Sequence, residues 1–151
     1  MFEPNPKNIL WIDKHIEINQ LQQLKVVEAA VSTYDGEASF DIQAASFGGK
    51  LIADTGNNEY KVKVVDLIPF LPKHKQSKLL LKIDIEGEEV QLLPNILSEL
   101  PECTFIFLET HHGVEACQEL TQLLEAHQFS VTITRITDGM YIDLSASRVK
   151  A

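Results

Sequence analysis

Leu79-Leu80-Leu81-Lys82-Ile83-Asp84-Ile85-Glu86-Gly87 is the stretch that decides the fold. Its near-continuous apolar run is the mark of a strand buried on both faces, as in parallel sheets flanked by helices. Val90, Leu93, Leu97 and Leu100 follow at helical spacing with Ile96 beside them, and Pro94 predicts a bend or a late start. Residues 103–110 make a second buried strand rich in Phe and Ile. Cys117, Leu120, Leu123 and Leu124 then mark an amphipathic helix ending near His127. Residues 130–136 and 140–144 flank Thr137-Asp138-Gly139, a hairpin signal. Strand, helix, strand, helix and hairpin predict an α/β fold, a parallel sheet with an antiparallel edge strand. Right-handed crossovers set the loops after Ile85 and Thr110 side by side at the rim where such sheets bind ligands.

Upstream the pattern is looser. A helix is expected after Pro4-Asn5-Pro6, to about Asn19, since proline suits a first turn and Ile9, Leu10, Ile12 and Ile16 give an apolar stripe. Residues 26–31 read as a short strand, Asp35-Gly36 as a turn, and residues 37–42 as a half-buried strand. Residues 44–59 are loop-like by composition, and alternation resumes over residues 60–65.

The chain has 151 residues, 44% hydrophobic and 23% charged, which is ordinary usage for one globular domain over residues 1–151. Lys and Arg number 13 against 22 Asp and Glu, a net charge of −9 that argues against nucleic acid and anionic membrane as partners. No apolar run approaches the roughly 20 residues of a membrane span. Nothing at Met1-Phe2-Glu3-Pro4 directs secretion, and two widely spaced cysteines suit a reduced, cytoplasmic protein.

Lys82, Asp84 and Glu86 alternate onto one strand face, and the lysine needs a carboxylate partner, Asp84 or Glu109. Gly87 lets the backbone turn sharply. Glu109 and His111 close the next strand on a shared face, so they are expected near Asp84 and Glu86. Such a cluster can serve as a general base or hold a divalent cation, but no further His or Cys completes a ligand set, and no metal is assigned. The competing reading is a structural ion pair with helix-capping carboxylates. His112 is read as a loop residue, and His15, His74 and His127 as solvated. Glu3 offers two acceptors matched to the vicinal diol of a ribose.

In order, these pieces resemble the FkbM-type methyltransferases, a branch of the S-adenosylmethionine-dependent Rossmann-like enzymes. The matching stretches are Phe2-Glu3-Pro4-Asn5-Pro6, Val26-Val27-Glu28-Ala29-Ala30-Val31-Ser32, Asp35-Gly36-Glu37-Ala38-Ser39-Phe40 and residues 62–67. Most specific is Leu81-Lys82-Ile83-Asp84-Ile85-Glu86-Gly87-Glu88-Glu89, followed by Glu109-Thr110-His111. The resemblance implies methyl transfer from S-adenosylmethionine to a hydroxyl of a sugar, polyketide or related small molecule. It implies that Glu3 holds the ribose and that Ala30 and Ser32 flank the adenine. Asp84 would line the methionine end, with Glu86, Glu109 and His111 at the acceptor. Asp84 and His111 are both candidate bases.

The resemblance also implies a mostly parallel Rossmann-like sheet with an antiparallel C-terminal hairpin. Family folds open with a strand and a glycine-rich turn about 20 residues before the ribose acid. Here the seven glycines all follow Glu3. The chain is therefore expected to lack the first strand, its glycine loop, the first helix and most of the second strand. It would be the C-terminal portion of a methyltransferase, binding cofactor feebly alone and prone to self-associate through an exposed sheet edge. The alternative is a non-catalytic binding or interaction module on the same scaffold. A glycoside hydrolase using Asp84 and Glu86 is disfavoured, because its usual barrel exceeds this length.

Overall fold

The computed structural model describes residues 1–41, 50–52, 60–111, 113–137 and 141–148. They fall into two compact units, Met1–Asp66 and Leu67–Ala151.

In the first unit, helix α1 (Pro6–Ile18) starts where the sequence predicts. The Asn5 side chain accepts the Lys7 N–H at 3.0 Å, and Pro6 fills the first turn, where a missing N–H costs nothing. The predicted stripe is not a core contact: no residue of α1 is buried, and Leu10 and Trp11 are exposed. Strands β1 (Ala30–Ser32), β2 (Gly36–Asp41), β3 (Lys50–Ile52) and β4 (Tyr60–Asp66) form a sheet in the order β1-β4-β2-β3. Alternation along β4 points Val62 and Val64 inward, where they meet Ala30 and Phe40, with Ala38 and Leu51 packed against them.

Two expectations change here. The strand expected over residues 26–31 contracts to Ala30–Ser32, while Val27 makes an isolated parallel bridge to Phe2. Val27 N donates to Met1 O at 2.9 Å, and its carbonyl accepts from Glu3 N at 3.1 Å. Lys50–Ile52, expected as loop, is a strand, because Leu51 packs on the core and its backbone pairs with Ser39–Asp41. Ile42 and the rest of residues 44–59 lie outside the described residues.

The second unit contains β5 (Lys78–Ile83), α2 (Glu89–Ile96), β6 (Cys103–Thr110), α3 (Gly113–Ala126), β7 (Ser130–Thr137) and β8 (Tyr141–Arg148). The sheet order is β5-β6-β8-β7. β5 and β6 run parallel from Lys78 opposite Cys103 to Ile83 opposite Leu108, so the chain leaves both at the same end. Among the described residues, two strand pairings are parallel and four antiparallel. The sheets are thus mixed, where the sequence predicts a mostly parallel one with the antiparallel strand at its edge. In the first sheet β2 runs antiparallel to both β3 and β4; in the second the hairpin is the cause, since β8 inserts antiparallel beside β6 and leaves β7 at the edge. The turn residues 138–140 lie outside the described residues.

Thr104, Ile106, Leu108 and Thr110 alternate onto the buried face of β6, with Ile142, Leu144 and Ala146 on β8. Leu92, Leu93 and Ile96 of α2 and Cys117, Leu120 and Leu124 of α3 are buried too, and α3 packs on β6, β7, β8 and α2. Each buried leucine or isoleucine among them contributes about 1.5–3 kcal/mol. Arg148 locks this layer: its guanidinium donates to Leu100 O, Pro101 O and His127 O, past the ends of both helices, and lies over the Phe129 ring. The opposite face is exposed. There Leu80 is opposite Phe105, and they are 67% and 44% exposed, beside Phe107 at 52%. The expectation that β5 is buried on both faces therefore fails; it pairs with β6 alone among the described strands.

Candidate acid-histidine site at the strand ends

Because β5 and β6 end together, Asp84 and Glu86 leave one strand beside Glu109 and His111 at the end of the other. The turn out of β5 is tight. Glu86 has φ 56° and Gly87 φ 110°, both left-handed, a conformation easy for glycine and costly for glutamate. The chain thereby reverses into α2 and brings Glu89, in its first turn, beneath the rim.

Glu89 is fully buried. Its Oε2 accepts the Gly87 N–H at 2.8 Å and its Oε1 the His111 N–H at 3.0 Å. One carboxylate thus ties the turn after β5 to the turn after β6. Burial favours the neutral acid, yet the contacts from the His111 ring and from the backbone N–H groups of Glu89, His111 and Gly87 outweigh it. They hold the Glu89 pKa below its ordinary value.

The His111 side chain is only 8% exposed and is ringed by acids. Nδ1 stands 3.5 Å from Glu89 Oε1, a contact longer than an ideal hydrogen bond. Nε2 faces Glu86 Oε2 at 3.5 Å, Asp84 Oδ1 at 3.8 Å and Glu109 Oε1 at 3.9 Å. The Glu89 contact raises the His111 pKa, burial opposes it, and the negative charges of Glu86, Glu89 and Glu109 add to the rise. Asp84 is held on its outer side by Lys82 Nζ at 2.7 Å, so of the two partners open from the sequence Lys82 takes Asp84. That pair is largely exposed and adds little stability.

A side chain backed by a buried carboxylate on one nitrogen, with its other nitrogen facing the rim, has the arrangement of an oriented general base. Asp84, Glu86 and His111 also present donor atoms within 4.8 Å of one another, a spacing open to a divalent cation.

Four residues singled out in the sequence, Asp84, Glu86, Glu109 and His111, come together in this unit. Glu3, Ala30 and Ser32 belong to the other. Glu3 is half-buried, with Oε1 accepting the Asn5 N–H at 2.7 Å. Ala30 and Ser32 lie in β1 with 7% and 3% exposure, Ala30 within the core. His112 lies outside the described residues, and His15 and His74 are exposed. His127, expected to be solvated, is half-buried with Nδ1 2.9 Å from Leu123 O.

Sequence reasoning missed Glu89. The signal was its place on the inner stripe of α2: the buried positions are Glu89, Leu92, Leu93 and Ile96, at spacings of three, one and three.

The α/β fold of mixed sheets that carries this cluster is similar to that of a solved methyltransferase. The precorrin-6y C5,15-methyltransferase of Geobacter metallireducens GS-15 superposes with a TM-score of 0.54 at 13% identity, over 99% of this chain and 65% of that one. At such identity the likeness is one of fold. The family is shown by sequence: residues 1–131 match the methyltransferase FkbM domain, and the chain belongs to that family. A curated relative, the hexuronic acid methyltransferase AglP of Haloferax volcanii, is 25% identical over 138 residues. Those residues are 89% of this chain, which spans 56% of AglP. No described helix is long and apolar enough to cross a membrane.

Proposed function

We propose that residues 1–151 form part of a methyltransferase domain that transfers a methyl group from S-adenosylmethionine to a hydroxyl of a sugar, polyketide or related small molecule. His111 is its general base. The observation that carries this reading is the buried His111 ring, backed by Glu89 and presenting Nε2 to the strand-end rim of an FkbM-family chain.

S-adenosylmethionine, when bound, supplies an electrophilic methyl group on its sulfonium sulfur. When the acceptor oxygen receives the methyl group that the cofactor would supply, His111 Nε2 would hold the proton that oxygen gives up. Glu89 steadies the imidazolium that results, as a buried acid behind a histidine does elsewhere. Asp84, the other candidate base, already holds Lys82 at 2.7 Å, which favours His111 for the proton. Glu86 and Glu109 accept hydrogen bonds from the acceptor and so orient it, and in-line alignment supplies much of the acceleration.

For the cofactor, the acceptor chemistry of Glu3 fits a ribose. The Asn5 N–H orients its carboxylate, which keeps acceptor capacity for a vicinal diol. Ala30 and Ser32 fit less well, since little of either side chain is exposed to meet an adenine.

The test follows radiolabelled methyl transfer to a panel of hydroxylated acceptors by the wild type and by His111→Ala. Expected is a loss of about 10²–10⁴-fold in kcat with cofactor binding retained. Equal rates would remove His111 from the mechanism.

The exposed patch of Leu80, Phe105 and Phe107 favours a second reading, a non-catalytic interaction module on the same scaffold. Methyl transfer that depends on His111 excludes it.

A further inference from the structure

The turn out of β5 departs from its own local preference. Glu88 N–H donates to Ile85 O at 3.4 Å, closing a turn whose two central residues are Glu86 and Gly87. Both have positive φ, 56° and 110°. Turns with two left-handed central residues favour Asn-Gly or Asp-Gly, because a short polar side chain tolerates the first position and glycine the second. Gly87 follows that preference and Glu86 does not. Among the described residues, the other non-glycine residues with positive φ are Gln20 and Gln128, just beyond α1 and α3. Each closes a helix in the usual left-handed way, and the next N–H returns to the last turn, from Leu21 to Ile16 O and from Phe129 to Leu124 O. Glu86 precedes its helix, so no such cap accounts for it.

What glutamate gains at this position is reach. Its Oε2 lies 3.5 Å from His111 Nε2, closer than Asp84 at 3.8 Å or Glu109 at 3.9 Å. Asparagine, which the turn prefers, carries an uncharged amide on a side chain one methylene shorter. We propose that Glu86 is a positioning residue for the base: the fold keeps a glutamate in a left-handed turn position, at a cost in stability, so that its carboxylate meets His111 Nε2 and receives the N–H of the imidazolium. The inference rests on the reading of His111 as base and deepens it. Glu89 backs the ring at Nδ1, and Glu86 stands at the nitrogen on which the proton arrives. Lys82, the cation beside this group, is held by the other oxygen of Asp84. Backbone strain of this kind persists where function requires the conformation.

Two amide substitutions separate the backbone from the carboxylate. Glu86→Gln and Glu86→Asn both remove the charge, but only asparagine suits the left-handed position. In urea denaturation followed by circular dichroism, the midpoint of Glu86→Asn is expected to exceed that of Glu86→Gln by about 0.3 M or more. The NMR titration of the His111 ring protons is expected to move to lower pH in both, because the carboxylate nearest Nε2 is gone. Glu88→Gln, in the same turn, leaves that titration at its wild-type place. Equal midpoints for the two amides, or a lower one for Glu86→Asn, would show that position 86 stores no strain and overturn the proposal. A His111 titration that stays put in Glu86→Gln, or that Glu88→Gln moves as far, overturns it too. Labelled methyl transfer is followed on the same variants. If the urea and titration results hold while the wild type methylates no hydroxylated acceptor, the methyl-transfer reading falls and the positioning of His111 by Glu86 stands.

Discussion

Replacing Glu89 with glutamine separates what the buried carboxylate does for the fold from what it does for the histidine. In the wild type its two oxygens accept different backbone N–H groups, Gly87 at 2.8 Å and His111 at 3.0 Å. Glutamine has one oxygen and one NH₂. Whichever way the amide is turned, one of those N–H groups faces a donor in a fully buried place. A buried donor left without an acceptor costs ~1–3 kcal/mol, and hydrogen bonds to a charged group are worth ~1.5–3 kcal/mol. Glu89→Gln is therefore expected to lose about 3 kcal/mol, from a total that for such a chain is ~5–15 kcal/mol. In urea, with a slope of ~1–3 kcal/mol per molar, the midpoint falls by at least about 1 M. Circular dichroism across a urea series measures it. Glu88→Gln, one residue earlier, is the control and shifts stability by less than ~1 kcal/mol.

The same substitution has a second signature that packing loss alone does not produce. The leading cause of the raised His111 pKa is its contact with Glu89, so in Glu89→Gln the ring titrates closer to the ordinary imidazole value of ~6.5. Its ring-proton NMR titration moves to lower pH, and so does the rising limb of the rate against pH. A variant that keeps both its urea midpoint and its His111 titration would refute the reasoning, because Glu89 would then serve neither turn nor ring.

Other outcomes follow from the same geometry. His111 has a raised pKa, so its stabilising contribution is complete below ~6.5 and lost as pH rises through the raised value, while turnover by the neutral ring climbs over that window. Thermal melts and rates across pH 6–9 check this, and a rate that is flat throughout counts against His111 as base. Glu89 has a lowered pKa, so its contribution is present above the ordinary carboxylate value of ~4.3 and disappears as pH falls through the lowered one. Acid unfolding monitored by fluorescence should be most reduced in amplitude of stability change by Glu89→Gln. Gly87→Ala, at φ 110°, costs more than ~1 kcal/mol in urea denaturation, and a neutral result would mean the turn relaxes. Leu80→Lys, on the exposed strand β5, lowers self-association in analytical ultracentrifugation; a wild type that is monomeric at every concentration defeats pairing through that edge.

The second unit was legible where local periodicity and chain order suffice. Two strands joined by a helix, each closing on an acid, are enough to put Asp84 and Glu86 beside Glu109 and His111, because a parallel pair ends both strands at one rim. The hairpin was legible as a hairpin, but its insertion was not. Whether the first or the second strand of a hairpin lies against β6 depends on which one buries Ile142, Leu144 and Ala146 beneath α3, and neither strand's own pattern states that. Lys50–Ile52 was hidden for another reason. Three residues between stretches rich in Gly and Asn carry too little alternation to read, and Leu51 becomes a strand residue through the core it meets.

Glu89 marks the boundary between the two kinds of information. A helix that buries positions 89, 92, 93 and 96 has an inner stripe, and the first of those positions holds an acid. The stripe traced from the apolar residues alone starts at Val90 and passes over it. An acid on an inner stripe is itself informative, since a buried carboxylate persists only where donors converge on it. What the stripe cannot supply is the donors. One, Gly87, is two residues away and foreseeable from the turn; the other, His111, is 22 residues on and arrives only through the pairing of β5 with β6. Sequence periodicity could thus have flagged Glu89 as a residue in need of partners, and the strand pairing identifies one of them as the very histidine that faces the rim. The reading of His111 as an oriented base therefore depends on a residue whose own pattern pointed toward structure, and that is why Glu89→Gln, rather than a change at the exposed Asp84, is the substitution on which the site should be judged.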